Sequence, residues 1–96
     1  LKVNIFEHLS VVDYGDLPIT PGYFYESHAQ ITEGASKVLE ADVTPIFLGG
    51  DHSISWALLR AVAKKHGPVA LVHFDSHSDL WSGYFGGKDT HGTPFR

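Results

Sequence analysis

An α/β fold built on a parallel sheet is predicted by three observations. Short apolar runs alternate with helix-length amphipathic segments, each run ends in a glycine or acidic turn, and the chemically potent side chains fall at those ends. The first strand is expected near Ser10 to Tyr14, ending in Asp13-Tyr14-Gly15-Asp16, and Pro18 and Pro21 make Leu17 to Gly22 an irregular loop. A helix is expected from about Phe24 to Ala41, because Phe24, His28, Ile31, Ala35, Val38 and Leu39 trace one face at three- and four-residue steps. Pro45 to Leu48 is short and wholly apolar, as a strand covered on both faces is. A second helix follows, with Ser53 as its expected N-cap and Ile54, Ala57, Leu58, Ala61 and Val62 as its buried stripe. Lys64, Lys65 and His66 suit the negative end of its dipole, Gly67 supplies the left-handed cap and Pro68 blocks continuation. The third strand is Val69 to Phe74, and the glycines from Gly83 to Gly92 predict loop thereafter.

Strand–helix alternation joins parallel strands by right-handed crossovers, and such sheets take ligands beyond the carboxyl ends of their strands. Asp13 and Asp16, Asp51 and His52, and Asp75, His77 and Asp79 all stand at such ends and are expected to share one rim. Within Asp75-Ser76-His77-Ser78-Asp79 the metal-competent residues recur at every second position, so extended backbone would turn all three to one side. Two carboxylates and an imidazole form an oxygen-rich cation site that suits manganese. Gly49-Gly50-Asp51-His52-Ser53 adds an imidazole on a sharp turn, with Asp51 cast as the residue that orients it; the plainer alternatives are a capped helix start here, with Asp51 or Ser53 holding backbone N–H groups, and a polar loop with a capping aspartate at 75–79.

Other residues admit two readings. His73 shares strand side with Asp75 and either supports the acids or is a satisfied core histidine. His91, in the glycine loop, is a candidate proton shuttle or a solvated loop residue. Trp81, Tyr84 and Phe85 either wall a small pocket or pack the loop down.

Composition narrows the function classes. A hydrophobic fraction of 43% with 19% charged residues describes a folded chain rather than a disordered one. A net charge of −4 without a basic run disfavours nucleic-acid and anionic-membrane partners. The absence of cysteine rules out thiolate ligands and fits a cytoplasmic protein. With no methionine and an open ending at Thr93-Pro94-Phe95-Arg96, residues 1–96 read as an internal fragment of a single catalytic domain.

Gly49-Gly50-Asp51-His52-Ser53, Asp75-Ser76-His77-Ser78-Asp79 and His91-Gly92-Thr93-Pro94-Phe95, with Val12 to Asp16 before them, resemble the ureohydrolase family of arginase and agmatinase in order and spacing. The resemblance implies a three-layer α/β/α domain with a binuclear manganese centre that hydrolyses a guanidino group to urea and an amine. It further implies that His52 and Asp79 bind one ion, His77 the other, Asp75 bridges both, Asp79 also orients the attacking water, and His91 transfers protons. The family's later Ser-x-Asp-x-Asp segment is absent here, leaving four of six expected protein ligands. Trp81 stands where arginases carry an asparagine for the amino-acid end of arginine, so the loop resembles agmatinases more closely. The implied activity is conversion of agmatine to putrescine and urea by a cytoplasmic homo-oligomer, a trimer or hexamer. Alternatives are a guanidino-acid hydrolase, a metal-dependent deacetylase of related architecture, and a non-catalytic relative that keeps the fold without a complete centre.

Overall fold

The computed structural model describes residues 2–96, so Leu1 of the expected 1–96 unit lies outside them. Two helices organise the chain. Helix α1 spans Phe24–Glu40 and helix α2 spans Ile54–His66, after a single 3₁₀ turn at Ile5–Glu7. Helix α1 ends one residue short of expectation, at a tight turn in which Asp42 adopts a left-handed φ of 58°. Helix α2 ends at Gly67, whose φ of 77° lets its N–H return to the Ala63 carbonyl at 2.8 Å.

The helices meet through small side chains. Ala35 of α1 and Ala57 and Ala61 of α2 are buried almost completely, with Ile31 and Leu39 beside them. The alanines let the two backbones approach so closely that the Thr32 hydroxyl lies 3.1 Å from the Ala57 carbonyl and 2.9 Å from its own helix's His28 carbonyl. Gly34 admits a second close approach, since a Cβ there would stand 2.5 Å from the Leu17 side chain of the preceding loop.

The three expected strands do not form a sheet among the described residues, where the one bridge is Tyr84 with Gly87. Their pattern survives without the ladder. Phe47 packs on the helix core while its neighbours Ile46 and Leu48 stand bare, Leu48 at 94% exposure. His73 is likewise turned inward while Val72 and Phe74 face out, Phe74 at 95% exposure. Side chains thus alternate with a period of two, one set against the interior and the other without cover. A strand exists only through hydrogen bonds to a neighbour, and nothing in 2–96 supplies one.

The bulk dimensions agree. The radius of gyration is 15.2 Å, against roughly 12.5 Å for a compact domain of this length. The accessible surface is 7712 Å², against roughly 5,400 Å² for a folded monomer of this mass. Buried apolar area is therefore too small to offset the entropy of ordering the whole chain. A recombinant peptide of residues 1–96 should accordingly show helical circular dichroism without a cooperative thermal transition. A single sharp transition would mean that the two-helix core suffices.

Candidate metal centre

His52 is delivered by the turn between the second apolar run and α2. The Asp51 carboxylate accepts the Ser53 N–H at 2.8 Å, and the carbonyls of Asp51, His52 and Ser53 accept from Ile54, Ser55 and Trp56 to start the helix. Ser53 is not the cap that its position suggests. It has helical φ and ψ, its hydroxyl makes no capping bond, and it is buried against His28 of α1. His28 Nδ1 lies 2.8 Å from the Phe24 carbonyl, which only accepts, so the ring hydrogen sits on Nδ1. His28 Nε2 is then left to accept the Ser53 hydroxyl at 3.1 Å. This buried histidine, stacked on Phe24, fixes the His52 turn to α1.

The acidic segment departs from a simple strand alternation. Asp75 Oδ1 accepts the His77 N–H at 2.9 Å, which bends the chain at Ser76 and His77. Asp79 takes a left-handed φ of 54°, a conformation that aspartate tolerates better than most residues. Its carbonyl accepts from Phe95 N–H, and Trp81 N–H donates to Gly92, so the segment is stitched to 92–95. Asp75 and Asp79 consequently converge, whereas the His77 ring stands 69% exposed with Nδ1 3.5 Å from Asp75 Oδ1. The bend is the physical reason that 75, 77 and 79 do not all project together.

Four side chains share one point. One donor atom each from His52, His73, Asp75 and Asp79 lies within 4.8 Å of all the others. His52 Nδ1 is 2.9 Å from Asp79 Oδ2 and 3.8 Å from Asp75 Oδ2, and His73 Nε2 is 3.5 Å from both of those oxygens. Yet Asp79 Oδ2 and His73 Nε2 are buried without a hydrogen-bond partner. The 2.9 Å approach of His52 is a charge contact and does not count as a hydrogen bond to that oxygen. A carboxylate whose side chain is only 8% exposed and whose oxygen lacks a donor is costly unless a cation completes it. That observation and the mixed carboxylate–imidazole donor set fit a divalent cation, Mn²⁺ among them. Phe95 closes one side, its ring edge-on to His52 at 5.4 Å and to His73 at 4.8 Å.

The Asp75 carboxyl is held below the usual carboxylate range, first by the His77 N–H and then, against partial desolvation, by the His73 and His52 imidazoles. Its contribution is therefore present above the ordinary aspartate pKa and is lost only as pH falls through the depressed value. Burial pushes Asp51 up, but the Ser53 hydrogen bonds and the His91 and His28 imidazoles outweigh it and leave that carboxyl lowered.

Of the residues singled out from sequence, His52, Asp75 and Asp79 are brought together, and His77 lies at the edge of the group. His91 is exposed on its loop, with Nδ1 3.8 Å from Asp51 Oδ2 and its ring edge-on to Tyr84 at 5.0 Å. Asp13 and Asp16 are exposed and outside the group. His73 is the residue that sequence reasoning left undecided. Its signal was the two-residue step to Asp75.

A family model described as "Arginase family" matches residues 1–96. The mitochondrial agmatinase of Gallus gallus is 45% identical over 91 residues, 95% of this chain and 27% of that protein. The mitochondrial guanidino acid hydrolase of Homo sapiens is 43% identical over 91 residues, 95% of this chain and 26% of that protein. A crystal structure described as a hypothetical agmatinase from Burkholderia thailandensis superposes with a TM-score of 0.83 at 40% identity, covering 94% of this chain and 29% of its own. The chain thus spans less than a third of the length of these relatives.

Asp79→Asn is the cleanest probe of the centre, because asparagine keeps the left-handed backbone while removing the charge. In the full-length protein, metal-free Asp79→Asn should fold as wild type does, since the left-handed backbone at 79 is kept. Its rise in melting temperature on adding Mn²⁺ should shrink, because that rise tracks affinity. An undiminished rise, measured by scanning calorimetry with and without chelator, would remove Asp79 from the centre.

Proposed function

The chain belongs to the arginase family, and from that premise we propose that the full-length protein is a manganese-dependent hydrolase cleaving a guanidino group to urea and an amine, with agmatine as its preferred substrate. The observation that carries the reading is the meeting of His52, Asp75 and Asp79 at one point from two separate segments, where a buried carboxylate oxygen makes no hydrogen bond.

In this reading His52, Asp75 and Asp79 would hold one ion, and Asp75 with His77 would serve a second. Bound divalent cations lower the pKa of water toward neutrality, which supplies the nucleophile a resonance-stabilised guanidinium requires. Asp79, the more buried acid, orients that water. Phe95 shields the imidazoles of His52 and His73 on one side, keeping the local dielectric low. His91 is exposed on its loop and carries a proton to the leaving amine, with the Asp51 carboxylate steadying the imidazolium. Assembly into a trimer or hexamer and a cytoplasmic setting belong to the same reading.

The substrate rests on the loop from Leu80 to Thr90. Trp81 occupies the place of an α-amino-acid contact, so arginine is expected to be poor. Lys88 and Asp89 line a shallow open groove together with Phe24, Tyr25 and Gly87, which shares no lining residue with the group at His52, Asp75 and Asp79. Asp89 is engaged there by the Tyr25 hydroxyl, which donates to it at 2.5 Å. Asp89 and the net acidic charge favour a diamine-like cation. Lys88 in the same groove is the specific feature that favours the second reading, a guanidino acid whose carboxylate it would pair.

Urea release by the full-length protein should be fastest per KM on agmatine, slower on 4-guanidinobutyrate and 3-guanidinopropionate, slowest on arginine, and abolished by chelation. Arginine as the best substrate would overturn the reading of Trp81. A guanidino acid as the best would shift the assignment, and Lys88→Ala should then weaken that substrate selectively. Asp75→Asn should lower the rate further than His52→Asn and by more than about a hundredfold, the upper end for residues that only support ligands. Near-wild-type turnover by Asp75→Asn would remove it from the centre.

A further inference from the structure

His73 touches the centre from outside the two clusters that supply His52 and the acids. It lies in the apolar run before the acids, two residues from Asp75, and its ring packs edge-on against Phe95 at 4.8 Å. Its Nε2 is sealed from solvent and lies 3.5 Å from one oxygen of Asp75 and 3.5 Å from one oxygen of Asp79. These oxygens are its close polar neighbours, and both belong to carboxylates, which offer lone pairs and no donor. A nitrogen in that position either presents a lone pair to two carboxylates or presents an N–H. The lone pair would be repelled by both and would leave a buried polar atom unsatisfied, which costs about 1–3 kcal/mol. The N–H is attracted by both. At 3.5 Å each, the contacts are a few tenths of an ångström longer than an ordinary N–H···O bond, so the attraction is electrostatic and shared between two oxygens rather than a single formed hydrogen bond.

We propose that His73 is a positioning residue: it carries its ring hydrogen on Nε2 and holds the Asp75 and Asp79 carboxylates in the orientation that receives a cation. A protonated Nε2 has no lone pair to give, so His73 is set apart from His52, whose half-exposed ring meets the same oxygens from a more open position. The arrangement extends the metal reading above and rests on it. In physical terms His73 offsets the mutual repulsion of two acids held close together before any ion arrives, and it fixes which oxygen of each faces the ion.

The test uses Mn²⁺ binding to the full-length protein, measured by the loss of the free-ion paramagnetic resonance signal, with pulsed resonance on the bound ion to count coordinated imidazole nitrogens. His73→Leu should weaken Mn²⁺ binding by about 10–100-fold, the range for residues that orient ligands. His73→Gln, whose amide reaches the place of Nε2, should restore most of that affinity. His73→Asn, whose amide reaches only the place of Nδ1, should not. The number of coordinated imidazoles should be the same in wild type and His73→Gln. If His73→Leu fails to fold, the Gln and Asn pair, alike in polarity and different in reach, decides the matter. Loss of one imidazole nitrogen in His73→Gln would make His73 a ligand and overturn the proposal, as would wild-type affinity in the Leu and Asn variants. Wild-type protein that binds no Mn²⁺ would overturn this proposal and the metal reading together, whereas a binding wild type with an unaffected series would overturn this one alone.

Discussion

The close approach of α1 and α2 is the contact on which the remainder of the structure hangs. Ala35, Ala57 and Ala61 leave so little between the helices that polar links can form across them. The Thr32 hydroxyl reaches the Ala57 carbonyl, and the His28 ring reaches the Ser53 hydroxyl at the very start of α2. Ser53 is next to His52. The position of one expected ligand is thereby referred back to the first turn of α1, through a buried imidazole whose two nitrogens are both satisfied. A methyl group enlarged at Ala57 would do more than strain the core; it would lengthen the chain of contacts that sets His52.

The centre is the opposite kind of construction. Where the helix interface satisfies its polar atoms, the group at His52, His73, Asp75 and Asp79 leaves an oxygen and a nitrogen buried without partners. It also holds Asp79 in a left-handed backbone conformation. Each feature is unfavourable alone, and all of them meet at one point, where backbone strain and unsatisfied polar atoms tend to gather at functional sites.

How far this was legible from sequence depends on the range of the interactions involved. Helix periodicity is a local property, and α1 and α2 were readable to within a residue of their ends. The apolar runs were readable as strand-like, and Phe47 and His73 do alternate with exposed neighbours. The sheet is a relation between strands, however, and no segment of 2–96 completes it. Around the acids, counting by twos found Asp75 and Asp79 for a partly wrong reason. They converge because the chain bends at Ser76–His77 and turns left-handed at Asp79, which also swings His77 outward. Ser53 shows the same limit: its place marked a cap, but whether its hydroxyl turns to the helix backbone depends on His28, 25 residues away in sequence.

The loop that follows the acids is fastened at separate points. Trp81 N–H to Gly92 and Phe95 N–H to Asp79 close it upon itself beside the centre, and Tyr25 holds Asp89 from the first turn of α1. The Asp89 carboxylate, chiefly through that hydrogen bond, pushes the Tyr25 hydroxyl above its ordinary pKa, so Tyr25 remains the donor through neutral pH. His91 sits between these fastenings, close to Asp51 on the turn that carries His52. The loop is therefore tied at once to α1, through Asp89, and to the group at His52, Asp75 and Asp79, through the Phe95 N–H on the Asp79 carbonyl, so a shift of α1 is felt at both fastenings.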